Sequence, residues 1–282
     1  MRYREIRPPA RLAQSIECFW TLEGGAPAAP AAPERILPDG CIELVFNFGE
    51  AFAEHRPHGV ARQPRFFAVG QMDRPIHIAP TGRVDLLGVR FQPGGAFSFL
   101  RLPVHEITGR TVPLEDVARP EDRPLLRRMR EAPRLTERAR AFETLFLSRA
   151  QENGHSDPSV DGGVRELLRA DGCVRVEELA RAAGLSRRQL ERRFRERVGI
   201  GPKLLSRILR FQKVLRAFAA GGNWAAAAVD CGYYDQSHLI RDFRQFAGEC
   251  PSAIARWDPL TALFLRKNRV SHFSKTHGAA SA

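Results

Sequence analysis

The chain has 282 residues, of which 43% are hydrophobic and 27% charged, and it carries a formal net charge of +12. This length is typical of two domains, and the apolar content excludes global disorder because the chain can bury a substantial core. No uncharged apolar run approaches the ~18 residues that a membrane-spanning helix requires. The amino terminus, Met1-Arg2-Tyr3-Arg4-Glu5, lacks the apolar segment of a secretory signal, so we expect a cytoplasmic protein without a membrane partner.

The positive charge is concentrated in the C-terminal half of the chain. Residues 1–155 contain 22 basic and 19 acidic residues, whereas residues 156–282 contain 22 basic and 13 acidic residues. The resulting net charges are +3 and +9, and this asymmetry predicts that the C-terminal half binds a polyanion.

The cysteine pattern argues against a disulfide framework and against a structural zinc site. The chain has five cysteines, and no two of them are close enough in sequence to form a C-x-x-C pair. Reduced thiols in a cytoplasm fit this pattern best. The five are Cys18, Cys41, Cys173, Cys231 and Cys250.

The first 115 residues are rich in Pro, Gly and Phe and contain short runs typical of strands. In Cys41–Phe48, apolar and other residues alternate, which predicts a strand with one buried face, and the preceding Pro38-Asp39-Gly40 is typical of a turn. Phe66–Val69 and Val84–Phe91 are two further predicted strands. Ala26–Pro33 contains only Ala and Pro, which predicts an exposed extended loop.

From Leu114 onward the apolar spacing of three and four residues predicts helices. Asn153–Gly163 is rich in Gly, Ser, Asp and Pro and is predicted to be a linker. The predicted helices are Arg123–Arg130, Thr136–Arg149, Val164–Ala170, Val176–Ala183, Arg187–Val198, Lys203–Ala219, Trp224–Val229 and Gln236–Phe246. The expected fold class is α+β. We divide it into a β-rich effector or dimerisation domain (1–115), a helical connector (116–155), an all-α domain (156–258) and a basic tail (259–282).

The all-α region contains an internal near-repeat that predicts two helix-turn-helix units. A small Ala is followed four residues later by Gly in both copies, which suits two helices that cross closely before a tight turn. Ser186 and Asp235 then stand where the N-caps of the second helices are expected. The repeated positions are Ala180, Gly184, Leu190, Phe194, Gly199 and Pro202, and then Ala228, Gly232, Leu239, Phe243, Gly248 and Pro251. Between the copies, a connecting helix has Leu204, Ile208, Phe211, Leu215 and Phe218 as its predicted apolar spine.

The outward faces of the two second helices carry side chains that suit base edges. Arg fits the O6/N7 edge of guanine, Gln fits adenine, and residues near the helix N-terminus reach the bases when the helix enters the major groove. A connecting helix of ~17 residues spans roughly 25 Å and would set the two helices about one DNA turn, or about 34 Å, apart. The outward residues are Arg187, Arg188, Glu191, Arg192 and Arg195 on the first helix, and Gln236, Ser237, His238 and Arg241 on the second.

This region resembles the DNA-binding domain of the AraC/XylS family of bacterial transcription regulators. The resemblance covers residues 164–257 and is closest at residues 230–243, DCGYYDQSHLIRDF, followed by Phe246-Ala247-Gly248 and Pro251-Ser252. It implies a sequence-specific regulator that binds promoter DNA, with helices 187–198 and 236–246 in two successive major grooves. The contact positions that it implies are Arg188, Glu191 and Arg192 with Arg187 nearby, and Gln236, Ser237, His238 and Arg241.

Two residues depart from the usual pattern. The carboxylate of Glu191 would repel phosphate, so we expect it to accept from a cytosine amine or to pair with Arg188 or Arg195. Trp224, which opens the second copy, is expected to pack on the connecting helix.

The resemblance also implies a β-rich, cupin-like N-terminal domain that senses a small molecule or dimerises. Residues 38–44 and 89–96 look like those of an uncharacterised group of such domains, from which no particular ligand follows. Accordingly, the partners that we consider are promoter DNA, RNA polymerase, an unknown small-molecule effector and a second copy of the chain. A constitutive dimeric DNA binder without a ligand stays open as an alternative.

Other constellations in the N-terminal half give weaker signals, and we assign no catalytic residue, cofactor or metal to them. The spacing of His55, His58, His77 and Glu43 is poor for a cupin metal site, so solvent-facing loop histidines are the expectation. The run 92–95, QPGG, predicts a turn. Two interpretations of Asp39, Glu43 and Arg90 stay open: they line a pocket or, as the favoured expectation, they are strand-edge charges. Cys41, in an apolar strand, is expected to be an inert thiol.

An enzyme is the less favoured class of function. A DNA-repair methyltransferase fused to an AraC-like domain would need four clustered cysteines around zinc. The nearest pair in this sequence, Cys231 and Cys250, lies inside the predicted DNA-binding region.

Overall fold

The N-terminal part of the computed structural model consists of two antiparallel sheets. The structure describes residues 1–27, 31–132, 137, 144–148, 156–219, 228–229, 232–233 and 235–256. Its strands are β1 (Arg2–Ile6), β2 (Ile16–Gly24), β3 (Glu34–Ile36), β4 (Glu43–Asn47), β5 (Ala53–Arg56), β6 (Gly59–Arg62), β7 (Phe66–Val69), β8 (Ile76–Ala79), β9 (Val84–Phe91) and β10 (Thr111–Pro113). One sheet has the order β1-β2-β9-β4-β7-β10 and the other β3-β8-β5-β6. The predicted strands at 66–69 and 84–91 are confirmed.

Strand β4 is buried on both faces, which corrects the expectation that it has a single buried face. Leu44 and Phe46 pack into a core that also receives helical side chains from residues 96–146. Val45, on the opposite face, packs with Trp20 and Phe52 into a second core. Ile78 of the second sheet packs against that core, and a strand enclosed on both sides has no solvent-facing row of side chains. The period-2 pattern in the sequence therefore located the strand but not its surroundings.

The helices follow the strands along the chain. They are α1 (Gly95–Leu100), α2 (Leu114–Val117), α3 (Arg123–Glu131), α4 (Pro158–Arg169), α5 (Val176–Ala182), α6 (Arg187–Val198), α7 (Pro202–Ala219) and α8 (Gln236–Ala247), with 3-10 turns at Val104–Ile107, Pro120–Asp122 and Pro251–Arg256. Residues 144–148 are also helical. The order of β-rich and then helical segments confirms the α+β fold class.

The expected linker at 153–163 is wrong in its second half, because α4 begins at Pro158. The carboxylate of Asp157 caps this helix by accepting from the backbone N–H of Ser159 at 3.1 Å, and Pro at the first helical position needs no donor there. The Asp-Pro pair, which is also typical of a turn, therefore starts a helix here. The predicted helix over 224–229 lies outside the described residues except for 228–229, and so do most of 136–149 and the whole tail 259–282.

A third core lies in the helical part, and α7 runs through it. Leu205, Ile208, Phe211 and Leu215 are fully buried there, whereas Leu204 and Phe218 of the predicted spine are only partly buried. The ring of Phe211 contacts Phe243 edge-on, with the centroids 4.9 Å apart. Because α7 shares a core with the helices before and after it, it positions both predicted helix-turn-helix units.

Candidate nucleic-acid interface

The two predicted helix-turn-helix turns have the same backbone geometry. Gly184 and Gly232 adopt φ values of 64° and 72°, in the region that favours glycine. In each turn the next residue donates its N–H back to the small Ala of the repeat: Leu185 to the carbonyl of Ala180 at 2.9 Å, and Tyr233 to that of Ala228 at 3.1 Å. Both alanines are buried. The repeat that the sequence predicts is thus present in the structure.

The helix after each turn begins at a side-chain cap, as predicted. Ser186 accepts from the backbone N–H of Gln189 at 3.3 Å, while the amide oxygen of Gln189 accepts from the N–H of Ser186 at 2.9 Å. Asp235 caps α8 by accepting from the N–H of His238 at 2.7 Å. These caps satisfy donors that the first turn of a helix leaves without partners, and they fix where each outward face begins.

The outer face of α6 is cationic and accessible. Leu190, Phe194 and Val198 are fully buried, and the opposite side exposes the guanidinium groups of Arg188 and Arg192. Neither of these two has an ion-pair partner within the part of the chain that the structure describes. A guanidinium held only by solvent is available for a base edge or a phosphate.

Glu191 has a different partner from the two that the sequence suggests. Its carboxylate accepts from Nε of Arg187 at 3.2 Å, one helical turn earlier, rather than pairing with Arg188 or Arg195. Arg187 also reaches Glu177 on α5 at 3.1 Å. One guanidinium, that of Arg187, is therefore shared by the carboxylates of Glu177 and Glu191.

The outer face of α8 is polar, and most of it is open. Gln236, Ser237 and Arg241 are exposed, and Leu239 and Phe243 on the opposite side are fully buried. His238 is half-buried, and its ring lies edge-on against Tyr233 with a centroid distance of 5.2 Å. The packing of His238 on Tyr233 is a contact that the sequence interpretation missed.

A buried ion pair orients α8, and the sequence interpretation missed it as well. Asp242 is fully buried and accepts from Nη2 of Arg207 on α7 at 2.6 Å and from the hydroxyl of Tyr233 at 3.1 Å. The signal was present in the sequence: Asp242 stands beside Phe243 and three residues after Leu239, on the apolar stripe of the helix. A carboxylate on such a stripe requires a partner.

The N-terminal part of the chain contacts the far end of α6. Thr108 donates its hydroxyl proton to the carbonyl of Gly199 at 2.8 Å, and the guanidinium of Arg197 lies 4.5 Å from the ring centroid of Phe97. These contacts involve the C-terminal end of the helix. The exposed arginines at its N-terminal end stay uncovered.

The weaker constellations have mixed outcomes. Arg90 is buried and pairs with Glu43 at 2.6 Å and with Asp39 at 3.6 Å, so the expectation of strand-edge charges is wrong. Burial and the charges of Asp39 and Glu17 raise the pKa of the Cys41 thiol well above its ordinary value, which confirms the inert thiol. Residues 92–95 form the predicted turn before α1.

The prediction of solvent-facing loop histidines is confirmed for His58, which is exposed in the turn between β5 and β6. His55 is exposed as well, but it lies on β5, directly opposite His77 on β8. Among the described residues, no group of three or more His, Cys, Asp or Glu side chains is placed to hold a metal ion. None of the helices in the described part of the chain combines the length and apolar character of a bilayer-crossing segment.

Two families match the chain, one in each part. Residues 179–256 match a family described as a helix-turn-helix domain, and residues 4–113 match a domain of unknown function, DUF6597. The C-terminal part is thus a helix-turn-helix domain of the AraC type, which confirms the resemblance. The chain thus combines a helix-turn-helix domain of the AraC type with a DUF6597 domain on its N-terminal side.

Several solved structures are similar to the chain at low identity. ToxT from Vibrio cholerae is 11% identical, with 88% of this chain and 98% of ToxT covered and a TM-score of 0.42. ToxT from Vibrio cholerae O395 bound to (E)-4-(8-methylnaphthalen-1-yl)but-3-enoic acid is also 11% identical, covering 88% and 99%, with a TM-score of 0.43. The AraC-like transcriptional activator CuxR is 15% identical, covering 74% and 77%, with a TM-score of 0.22. These TM-scores are too low to carry structural or ligand detail to this chain. No curated protein matches the sequence.

Proposed function

We propose that the chain binds promoter DNA sequence-specifically, with α6 and α8 in successive major grooves of one duplex. The observation that carries this proposal is the matched pair of capped helices, each with a buried apolar stripe and an exposed polar N-terminal face. With 18 residues, α7 spans roughly 27 Å at 1.5 Å per residue, and the helices flanking it add to that separation. One turn of B-DNA, about 34 Å, is therefore a separation that this arrangement suits.

The proposed contacts divide into two kinds. Arg188 and Arg192 on α6 and Arg241 on α8 are exposed cations that suit guanine edges or phosphates. Gln236 and Ser237 at the start of α8 supply uncharged donors and acceptors for base edges. Arg187, Glu191 and His238 stay in the proposed contact set, but each already has a protein partner that DNA would have to displace or share.

The N-terminal part is proposed to modulate this DNA binding. Its contacts with the helical part extend beyond α6. Arg35 pairs with Glu249 at 2.6 Å, just after α8, and Gln245 on α8 donates to the carbonyl of Asp73 at 3.3 Å. A change in the N-terminal part would therefore reach both proposed DNA-contacting helices. As part of this proposal we keep the division of the chain into an N-terminal domain (1–115), a connector (116–155), a DNA-binding domain (156–258) and a tail (259–282). We propose no catalytic role for the chain.

The test is selection of bound duplexes from a random pool by the full chain, followed by competition binding with the selected sequence. We expect one preferred sequence with two elements about one helical turn apart and an affinity that falls steeply with salt. Arg188→Ala should weaken binding to the selected duplex by about 1–3 kcal/mol. Arg62→Ala, an exposed cation on β6, should leave the affinity unchanged. No sequence enrichment, or equal losses in the two variants, would overturn the proposal.

A further inference from the structure

A polar cleft lies between the larger sheet and the helical part of the chain, and the proposed DNA contacts do not use it. Its cavity volume is about 40 Å³, which is enough for a ligand head group of a few heavy atoms. Its floor belongs to the N-terminal part, with Glu17 on β2, Arg90 on β9, and Asp39 and Cys41 just before β4. Its opposite wall belongs to α4 and α7. The lining includes Glu17, Asp39 and Arg90 on the floor and Leu209, Gln212 and Arg216 on the opposite wall.

Carboxylates outnumber cations on the floor of this cleft. Arg90 binds Glu43 at 2.6 Å and Asp39 at 3.6 Å, so one guanidinium serves two carboxylates. Glu17 accepts from the thiol of Cys41 at 3.3 Å. Burial raises the pKa of Asp39 to about 6 although Arg90 lies beside it, which indicates that its negative charge is incompletely compensated.

The cation on the opposite wall does not supply the missing charge. Arg216 pairs with Asp171 at 2.9 Å, and Lys213 approaches the same carboxylate at 3.5 Å. Of the other wall residues, Leu168 and Leu209 are apolar and Gln212 carries an uncharged amide.

An independent observation points to a ligand that donates hydrogen bonds. Gln212 lines the cleft, is 4% exposed and donates its amide N–H to the carbonyl of Pro38 at 2.6 Å. This bond fixes the orientation of the amide, and its oxygen is buried without a hydrogen-bond partner. Leaving a buried acceptor unpaired costs about 1–3 kcal/mol. A donor arriving in the cleft would remove this cost.

We propose that the cleft binds a small organic cation, with an ammonium or guanidinium head that donates to Glu17, Asp39 and the amide oxygen of Gln212 and a short apolar body against Leu168 and Leu209. Several N–H donors on one positive charge match two carboxylates and a neutral acceptor. A bare metal ion fits less well, because no group of three or more His, Cys, Asp or Glu side chains in the described residues is placed to hold one.

The position of the cleft suits a regulatory ligand. Its two walls belong to different parts of the chain, and the bond from Gln212 to Pro38 joins them at its edge. A ligand there would contact both the β-rich part and α7, the helix between the two helix-turn-helix units. This regulatory role rests on the proposed DNA binding, whereas ligand binding itself does not.

Calorimetric titration of the full chain without DNA tests the site, with n-butylguanidinium as the probe. We expect saturable binding of one probe per chain, and binding of the neutral isostere n-butylurea weaker by about tenfold or more, since charge-assisted hydrogen bonds would be lost. This comparison needs no variant. Failure of the DNA-binding tests would leave the titration interpretable, and the reverse also holds.

Matched variants locate the binding. Glu17→Gln should weaken binding of the probe by about tenfold, because it removes a carboxylate from the floor of the cleft. Glu23→Gln makes the same change at an exposed position of the same strand and should leave the affinity unchanged. Four results would each overturn the proposal. The first two are equal affinity of the two variants for the probe and equal affinity of the wild type for n-butylguanidinium and n-butylurea. The others are tighter binding of Mg²⁺ than of the probe and the absence of saturable binding.

Discussion

The buried pair between α7 and α8 allows a sharp test of how the second helix-turn-helix unit is held. Asp242→Asn keeps the shape of the side chain and removes its charge. In the wild type, Oδ1 accepts from Nη2 and Nε of Arg207 at 2.6 and 3.0 Å, and Oδ2 accepts from Tyr233 at 3.1 Å. Asn keeps one oxygen acceptor but no charge, so the guanidinium then faces neutral groups: this amide, Gln245 at 2.7 Å and the ring of Phe246 at 5.1 Å.

The expected loss of stability follows from this geometry. Removing one member of a fully buried ion pair costs about 3–5 kcal/mol. Arg207 is 20% exposed and keeps a neutral acceptor, so part of its charge stays solvated. We therefore expect Asp242→Asn to lower the free energy of unfolding by about 2 kcal/mol. Because Tyr233 belongs to the turn before α8, binding to the second DNA element should weaken as well.

Urea unfolding of the full chain in a double-mutant cycle measures the pair itself. With Arg207→Met as the second substitution, the coupling free energy should be about 1–3 kcal/mol, and the dependence on urea should be unchanged. The exposed pair of Glu166 and Arg169, also at 2.6 Å, is the control and should give a clearly smaller coupling. Equal coupling in the two cycles would refute the claim that burial makes the Asp242 pair strong.

Further predictions concern one DNA contact, one glycine and one titrating carboxyl. Arg241→Ala should weaken DNA binding by about 1–3 kcal/mol and relax the preference at one base position, measured by competition with single-base variants of the selected duplex; an equal loss on every sequence would remove it from the base contacts. Gly199→Ala should destabilise more than Gly184→Ala in thermal unfolding. Both glycines have positive φ, but their surroundings differ. A Cβ at residue 199 would lie 3.0 Å from the side chain of Gln71, whereas a Cβ at residue 184 would have no atom within 4 Å. Equal losses of thermal stability would therefore contradict the contact of α6 with the N-terminal part. Asp39 has a raised pKa of about 6 against an ordinary 3.8, so its contribution to stability is present below about pH 4 and is lost as the pH rises through 6. Urea unfolding at several pH values should show this decline in the wild type and not in Asp39→Asn.

Local patterns in the sequence were sufficient for the helical part. Helix bounds at 187–198 were predicted in full, and the caps Ser186 and Asp235 were identified from residue type. These features depend on neighbours within a few positions along the chain, where spacing and side-chain chemistry decide the conformation. The error at 153–163 has a local cause too, since Asp-Pro is typical of both a turn and a helix start.

The charged side chains of the N-terminal part could not be placed in the same way. Asp39, Glu43 and Arg90 were expected at strand edges, yet Arg90 on β9 is buried between carboxylates from a segment 47 residues away. Glu191 and Asp242 show the same limitation, since each had several basic side chains within reach. Which basic side chain pairs with each carboxylate depends on how the helices pack against each other, and the sequence does not specify that packing.

The amino-acid sequence alone thus determined the type of the C-terminal domain, because a repeat of small, turn, cap and apolar positions specifies two helix-turn-helix units without reference to the rest of the chain. Only the tertiary structure decided which polar groups face solvent, which are neutralised and which line the cleft between the two parts. Those outcomes depend on contacts between segments far apart in sequence, where burial and the nearest opposite charge set the energy.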